Sequence, residues 1–250
     1  MSRIALITGA TSGIGKATAE AFANNGIDLI ICGRRQEVLD ELKEYLAQKV
    51  KVTTLTFDVR NKESVFLAIA SLPEEWKNID ILVNNAGNAH GMSPIQDGDI
   101  EDFDAMIDGN VKGLLYVSKA VIPLMVKHQS GHIVNLSSVA GKLTYANGAV
   151  YCASKAAVEA LSEGMRLDLT QHGIKITNIA PGAVETSFSI VRFKGDVERA
   201  KKVYEGFDPI LPKDVADAIL YAVNTPSRVT IADIVLYAKA QAAPTVIYRK

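Results

Sequence analysis

The sequence predicts an α/β fold: a single domain built on a doubly wound parallel β-sheet with helices on both faces. Seven short apolar runs recur along the chain, at residues 4–7, 29–32, 52–57, 79–83, 132–136, 175–180 and 231–237. Runs without polar alternation are typical of strands that are covered on both faces. Helical patterns separate most of them, at residues 17–23, 38–46, 103–126, 150–169 and 215–223. Strands that alternate with helices predict right-handed βαβ units and therefore a parallel sheet.

Length and composition support one domain over residues 1–250. The chain is 48% hydrophobic and 22% charged, with 18 Gly and 8 Pro, which excludes a disordered or collagen-like protein. Its net charge of −1 provides no global field for nucleic acid, and no apolar run is long enough for a membrane span. Cys32 and Cys152 match neither a disulfide framework nor a zinc site. We therefore expect a cytoplasmic globular protein without nucleic-acid, membrane or metal partners.

Two segments are expected to depart from this regular pattern. Pro123 lies inside the pattern at residues 103–126 and is expected to kink or shorten that helix. Residues 182–208 follow a predicted strand and are expected to form an irregular loop over the substrate. The tail at residues 238–250 is too apolar for a free end, so we expect it to pack on the domain or on a neighbouring subunit.

A glycine-rich turn, Thr8-Gly9-Ala10-Thr11-Ser12-Gly13-Ile14-Gly15, ends the first predicted strand and opens a helix. Glycine allows positive φ and lets a pyrophosphate approach the backbone, while the helix start offers free N–H groups. A P-loop does not fit, because Ala10 and Ala17 stand where that motif needs Gly and a hydroxyl residue. A plain strand–helix turn remains an alternative. The residues expected to contact a dinucleotide are Gly9, Thr11, Ser12, Gly13, Ile14 and Gly15.

The end of the second strand indicates NADP as the cofactor. An acid there would bind the ribose 2′-hydroxyl of NAD, whereas arginine accommodates a 2′-phosphate. Arg34 and Arg35 stand at this position, and two guanidiniums can bind a phosphate in fork geometry. A solvated charge pair is the alternative, disfavoured at a helix N-terminus. The ends of the next two strands add cofactor contacts at Asp58, Val59, Asn85, Ala86 and Gly87.

Tyr151 and Lys155 are four residues apart on a predicted helix and therefore share one face. A lysine cation within about 6 Å would favour the phenolate and lower the tyrosine pKa, giving a proton donor and acceptor for alcohol–carbonyl interconversion. The hydroxyl of Ser138 would donate to the carbonyl oxygen. A surface i,i+4 pair is the alternative. A serine hydrolase is excluded because no Gly-x-Ser-x-Gly elbow occurs.

In this order and spacing, the motifs resemble those of the short-chain dehydrogenase/reductase family over essentially the whole chain. They are Thr8-Gly9-x3-Gly13-x-Gly15, Asn84-Asn85-Ala86-Gly87, Asn110, Ser138, Tyr151-x3-Lys155 and Pro181-Gly182. The resemblance implies a Rossmann-type fold in which Tyr151 is the general acid/base. Lys155 would tune it and bind the nicotinamide ribose, Ser138 would polarise the substrate oxygen, and Asn110 would support a water relay or satisfy a helix bend. The nicotinamide would be enclosed by Pro181, Gly182, Val184 and Thr186.

A closer resemblance, to the NADP-dependent 3-hydroxy acid dehydrogenases, lies outside the common motifs. It rests on Gly33-Arg34-Arg35, Asp58-Val59-Arg60, Leu72-Pro73-x2-Trp76, Val191-Arg192-Phe193-Lys194-Gly195-Asp196 and residues 241–250. It implies a homotetramer that oxidises serine, allo-threonine or 3-hydroxypropionate, or reduces malonic semialdehyde. Arg192 would bind the substrate carboxylate, unless it is a solvated loop residue or pairs with Asp196. A carbonyl reductase, a 3-oxoacyl-thioester reductase and a non-catalytic NADP-sensing module remain alternatives.

Overall fold

The computed structural model describes residues 2–250 and contains a seven-stranded parallel sheet. The strands are β1 (Ile4–Thr8), β2 (Asp28–Gly33), β3 (Val52–Thr56), β4 (Ile81–Asn84), β5 (Gly131–Leu136), β6 (Ile174–Pro181) and β7 (Asp233–Leu236). Their order in the sheet is β3-β2-β1-β4-β5-β6-β7. The chain thus reverses its direction of growth between β1 and β4, where open α/β sheets bind their ligands. The predicted fold is confirmed, and each apolar run contributes one strand.

Ten helices connect or follow these strands in the described part of the chain. They are α1 (Gly13–Asn24), α2 (Gln36–Leu46), α3 (Lys62–Ala70), α4 (Ile100–Ile107), α5 (Gly113–His128), α6 (Val139–Lys142), α7 (Ala149–Leu169), α8 (Phe188–Arg192), α9 (Val197–Lys202) and α10 (Pro212–Val223). Helix α3 has no counterpart among the predicted helices. Its Asn61 cap was a local signal for it, because the side-chain Oδ1 of Asn61 accepts the N–H of Ser64 at 2.8 Å.

The sheet separates two hydrophobic cores. Alternate strand residues point to opposite faces, so that Ile7 and Ile31 belong to one core and Leu6 and Ile30 to the other. The first core contains the apolar faces of α1, α2 and α10. The second contains those of α3, α5 and α7. Burial on both faces explains why the strands are apolar throughout rather than alternating.

A π-helical turn at Asp108–Lys112 joins α4 to α5. It interrupts the helical pattern that the sequence predicted at residues 103–126. The prediction that Pro123 shortens the helix is wrong, because α5 continues through Pro123 to His128. Proline removes the donor for the carbonyl of Lys119, but both residues are exposed, so water can satisfy that carbonyl.

Residues 182–208, predicted to be irregular, contain the two short helices α8 and α9. The tail forms an antiparallel hairpin of β8 (Gln241–Ala243) and β9 (Val246–Ile247). The hairpin lies against its own chain, where the Lys250 N–H donates to the Gly206 carbonyl at 2.8 Å. Within residues 2–250, no helix combines the length and the apolar character that a membrane crossing requires.

His132 of β5 is buried, and its imidazole has one hydrogen-bond partner within residues 2–250. Its Nε2 lies 2.7 Å from the Thr177 hydroxyl, which in turn donates to the Ile231 carbonyl at 2.7 Å. The imidazole therefore donates through Nε2, and Nδ1 has no partner among the described residues. Burial, with smaller contributions from Lys175 and Arg3, lowers the pKa of His132 to about 3.

We expect this imidazole to make the fold sensitive to acid. His132 stays neutral in the folded protein, whereas the unfolded chain takes up a proton near its ordinary pKa of 6.5. The unfolded state therefore binds more protons below that pH, and the free energy of unfolding falls by up to about 1.4 kcal/mol per pH unit for this group. His132→Leu should flatten this dependence in urea unfolding between about pH 7 and pH 5. An unchanged slope would contradict the assignment.

Candidate active site

The glycine-rich turn lies between β1 and α1 at the carboxyl edge of the sheet. Gly9 and Gly13 have φ values of 66° and 51°, which glycine adopts without strain. Ser12 is the N-cap of α1, but its hydroxyl makes no capping hydrogen bond, and residues 13–16 include no acid. Ile14 packs against the core and fixes the helix start. Within residues 2–250, no side chain caps the start of α1 and no acid stands in its first turn, so its free N–H groups fit the pyrophosphate of a dinucleotide.

Asn85 and Ala86, just after β4, hold this turn in place. The Asn85 amide donates to the carbonyls of Thr8 and Gly9 at 2.9 and 3.2 Å, and the Ala86 N–H donates to the Thr8 hydroxyl at 3.0 Å. A Cβ at Gly15 would collide with the Gly9 carbonyl and lie 2.5 Å from the Asn85 amide. These residues therefore shape the phosphate turn through its backbone.

Arg34 and Arg35 both lie exposed at the end of β2, next to the phosphate turn. A Cβ at Gly33 would lie 2.7 Å from the Thr11 methyl, so Thr11 packs on the residue that precedes the two arginines. Arg34 is 3.9 Å from the Asp58 carboxylate, and its side chain is 70% exposed. Two cations at the edge of the proposed dinucleotide site fit a ribose 2′-phosphate.

Asp58 forms an ion pair with Arg60, a residue for which the sequence predicted no role. The Arg60 guanidinium donates to both Asp58 carboxylate oxygens, with its Nη2 at 2.6 Å from one of them. This hydrogen bond holds the pKa of Asp58 below its usual value. The next residue, Val59, packs on the start of α5, where a Cβ at Gly113 would lie 2.7 Å from its methyl group.

Tyr151, Lys155 and Ser138 come together at the carboxyl ends of β5 and β6. Tyr151 and Lys155 are buried on one face of α7, and the Lys155 ammonium lies 6.0 Å from the centre of the Tyr151 ring. The ammonium donates to the Leu136 carbonyl at 2.9 Å, which fixes its position. Ser138 caps α6 by accepting the Ala140 N–H at 3.1 Å and donates to the Pro181 carbonyl at 3.3 Å.

The pKa of Tyr151 differs from the sequence-based expectation. Burial raises the pKa of its phenol above the usual value, with a further increase from Tyr145, while Ser138 and Arg192 act in the opposite direction. The predicted lowering by Lys155 is wrong for the protein alone, because desolvation outweighs a cation 6.0 Å from the ring. Burial also lowers the pKa of Lys155 to about 8. The protein alone therefore presents a neutral phenol, which can give a proton to a carbonyl oxygen.

Asn110 lies buried in the π-helical turn and uses its whole amide. It accepts the Asn88 N–H at 2.7 Å and donates to the Asn88 carbonyl at 2.8 Å and to the Ser154 hydroxyl at 3.0 Å. A Cβ at Gly87 would lie 2.9 Å from the Asn110 carbonyl oxygen and 3.4 Å from the Lys155 ammonium. Asn110 therefore joins the loop after β4 to helix α7, and Gly87 leaves the space in which that loop approaches Lys155.

The segment from Pro181 to Thr186 runs along the open side of this cluster. The Gly182 N–H donates to the Leu236 carbonyl at 2.7 Å, and Val184 forms an isolated parallel bridge with Ile210. A Cβ at Gly13 would lie 3.3 Å from the Thr186 methyl. The segment thus closes the gap between the phosphate turn and Ser138, where the predicted nicotinamide site lies.

A small, partly open cavity lies beside Tyr151 and is lined by Arg192. The Arg192 guanidinium lies 5.4 Å from the centre of the Tyr151 ring and donates to the Tyr145 hydroxyl at 3.1 Å and to the Gly91 carbonyl at 3.3 Å. The Gly91 N–H donates back to the Arg192 carbonyl at 2.9 Å. Arg192 is therefore a cation held beside Tyr151 by two hydrogen bonds rather than a solvated loop residue. Tyr145, which orients it, carried no signal in the sequence.

Comparisons with known proteins agree with this geometry. A sequence model of the family described as short chain dehydrogenase matches residues 3–196. The chain is 46% identical to the NADP-dependent 3-hydroxy acid dehydrogenase YdfG of Escherichia coli, over 91% of this chain and 92% of that protein. It is 45% identical to sulfoacetaldehyde reductase 2 of Chromohalobacter salexigens, over 92% of each. A solved structure, the closed form of serine dehydrogenase complexed with NADP+, is 43% identical and superposes with a TM-score of 0.93, covering 99% of both chains.

Proposed function

Because the chain belongs to the short-chain dehydrogenase family, we propose that it is an NADP-dependent oxidoreductase acting at the C3 hydroxyl or carbonyl of small 3-hydroxy acids. The observation that carries the substrate class is the guanidinium of Arg192, held 5.4 Å from the Tyr151 ring in the cavity. A 3-hydroxy acid whose carboxylate binds Arg192 would have its C3 atom, two bonds from the carboxylate carbon, beside the Tyr151 phenol. The name of the YdfG relative and the description of the serine dehydrogenase structure support the same substrate class and NADP.

NADP, when bound, supplies a nicotinamide ring that exchanges hydride with substrate carbon. Tyr151 gives its phenolic proton to the carbonyl oxygen in reduction and takes it back in oxidation. Ser138 donates a hydrogen bond to the same oxygen and so stabilises the charge that develops on it. Lys155 would bind the nicotinamide ribose and keep a positive charge near the phenol. Asn110 positions the loop after β4 and supports the water relay that replenishes the Tyr151 proton.

The cofactor is held by three groups of residues. The N–H groups at the start of α1, around Gly13 and Gly15, bind the pyrophosphate. Arg34 and Arg35 would bind the 2′-phosphate, and Asp58 and Val59 would add further contacts to the cofactor. Gly87 and the segment that contains Pro181, Gly182, Val184 and Thr186 would enclose the nicotinamide.

Purified protein with NADP+ tests the proposal against its alternatives. We expect reduced cofactor to form with serine, allo-threonine or 3-hydroxypropionate. Activity only with simple alcohols or acyl thioesters would favour a carbonyl reductase or a 3-oxoacyl-thioester reductase. NADP binding without any turnover would favour the sensing module. Sulfonate analogues belong in the same panel, because a relative is named sulfoacetaldehyde reductase 2 and a sulfonate would also pair with Arg192.

Arg192→Met should weaken the binding of charged substrates only. A guanidinium–carboxylate hydrogen bond contributes about 1.5–3 kcal/mol, so we expect the KM for 3-hydroxypropionate to rise about 10- to 100-fold. The KM for an uncharged ketone should change little. Arg199→Met is the matched control, because Arg199 is exposed on α9. Equal effects of Arg192→Met on both substrate types would reject its role as the carboxylate ligand.

The proposal includes a homotetramer. Leu167 of α7 is 76% exposed and Tyr237, just after β7, is 40% exposed. Large apolar side chains at these places fit subunit contacts through the long helices and the edge of the sheet.

A further inference from the structure

Arg249 and Lys250, the last two residues, bind the C-terminal end of the segment at residues 183–207, which we call its far end. Arg249 donates through Nη1 to the Glu205 carbonyl and through Nη2 to the Val203 carbonyl at 3.0 Å. Its guanidinium lies 5.2 Å from the centre of the Phe207 ring. Gly206 has a φ of 78°, and a Cβ there would lie 3.1 Å from the Arg249 Cβ. The tail is therefore in direct contact with the turn at residues 203–207. Arg249 binds the carbonyl oxygens of Val203 and Glu205, the residues on either side of Tyr204.

Tyr204 carries this contact to the active-site segment. Its hydroxyl donates to the Val184 carbonyl at 2.9 Å and lies 2.8 Å from the Ser189 hydroxyl. Ser189 is buried in α8, and Arg192 follows it by about one turn of that helix. A continuous chain of contacts thus runs from Arg249 through Tyr204 to the residue beside Tyr151 in the cavity.

Gln241, at the start of the tail hairpin, holds the near end of the same segment. Its side chain is buried, and its Oε1 accepts the Ala183 N–H at 2.9 Å. A Cβ at Gly182 would collide with this oxygen, so the loop and the glutamine approach each other as closely as a glycine permits. Its amide also donates to the Pro244 carbonyl at 3.4 Å, within the hairpin.

We propose that Gln241 and Arg249 are positioning residues, which hold the segment at residues 183–207 closed over Tyr151 from its two ends. The inference rests on the proposed function, because the segment supplies the nicotinamide contacts and Arg192. It assigns the tail a role in setting the distance from Arg192 to Tyr151. Closure of such a segment excludes water and completes a site, so loosening it should weaken substrate binding more than it alters the phosphate end of the cofactor site.

Arg249→Ala tests the far end, with Lys250→Ala as the matched control. The control removes a neighbouring charge but leaves the backbone N–H that binds Gly206. We expect Arg249→Ala to raise the KM for 3-hydroxypropionate about tenfold, with a smaller change in the Kd for NADPH, because a lost charged hydrogen bond weakens closure by a similar factor. Trypsin should cut at Arg199, Lys201 or Lys202 faster than in the wild type. Arg249→Lys should restore part of the KM.

Gln241→Met tests the near end, since methionine has a similar length but no carbonyl acceptor. We expect a lower kcat because the nicotinamide loop loses its support, while unfolding temperatures show that the variant remains folded. The proposal is overturned if Arg249→Ala and Gln241→Met match the wild type in KM, kcat and trypsin cleavage. If the wild type oxidises none of the acids, the proposed function fails, whereas the trypsin cleavage rates still decide the role of the tail.

Discussion

Tyr151→Phe should reduce kcat for oxidation of a 3-hydroxy acid by about 10²- to 10⁴-fold, the usual contribution of a positioned general acid/base. The substitution removes one oxygen atom and leaves the ring that packs 5.8 Å from the ring of Phe188. Folding and NADPH binding should therefore be unchanged, and the loss should lie in kcat rather than in KM. Stopped-flow absorbance at the reduced-cofactor band measures it directly.

Tyr221→Phe is the matched control for this variant, because Tyr221 is 67% exposed on α10. Tyr145→Phe separates the two tyrosines of the site. It removes the hydroxyl that accepts from Arg192 at 3.1 Å and should raise KM with a smaller effect on kcat. Turnover by Tyr151→Phe at the wild-type rate would remove the acid/base assignment.

Arg34→Asp combined with Arg35→Ala should change the cofactor preference. Two charge-assisted hydrogen bonds to a phosphate contribute about 1.5–3 kcal/mol each, so the Kd for NADPH should rise about 10²- to 10⁴-fold. The new aspartate can bind a ribose 2′-hydroxyl, so NADH should bind at least as well as before. Lys43→Asp, an exposed change on α2, controls for the loss of positive charge. An unchanged preference for NADPH would contradict the 2′-phosphate site.

The backbone arrangement followed from the sequence because buried parallel strands have a simple signature. Ile30 and Ile31 point into different cores, so a strand covered on both faces must be apolar at every position. Glycine and asparagine motifs then indicated the candidate site, since they occur where strands end. Asn110 was found by its motif, but the π-helical turn around it was not, because a turn with one extra residue leaves no pattern in side-chain polarity.

Contacts between side chains that are far apart in the sequence could not be predicted from it. Tyr145 and Arg192 are 47 residues apart, and their hydrogen bond depends on how α8 folds back over the cavity. The sign of the Tyr151 pKa shift was missed for a related reason, because spacing shows that a lysine is near but not how fully the phenol is buried. The contact between Gln241 and Ala183 could not be predicted either, because the hairpin that carries Gln241 reaches this segment only in the folded chain.

The central claim is that this site transfers hydride from C3 of a small acid to NADP+ while Tyr151 accepts the hydroxyl proton. Transfer of deuterium from C3 is its most direct test. The protein is incubated with NADP+ and 3-hydroxypropionate that carries deuterium at C3, and the reduced cofactor is analysed by mass spectrometry. We predict that NADPH gains one deuterium at the nicotinamide ring and that the rate of its formation falls relative to unlabelled substrate. Reduced cofactor without deuterium, or no reduced cofactor from any 3-hydroxy acid, would contradict the account.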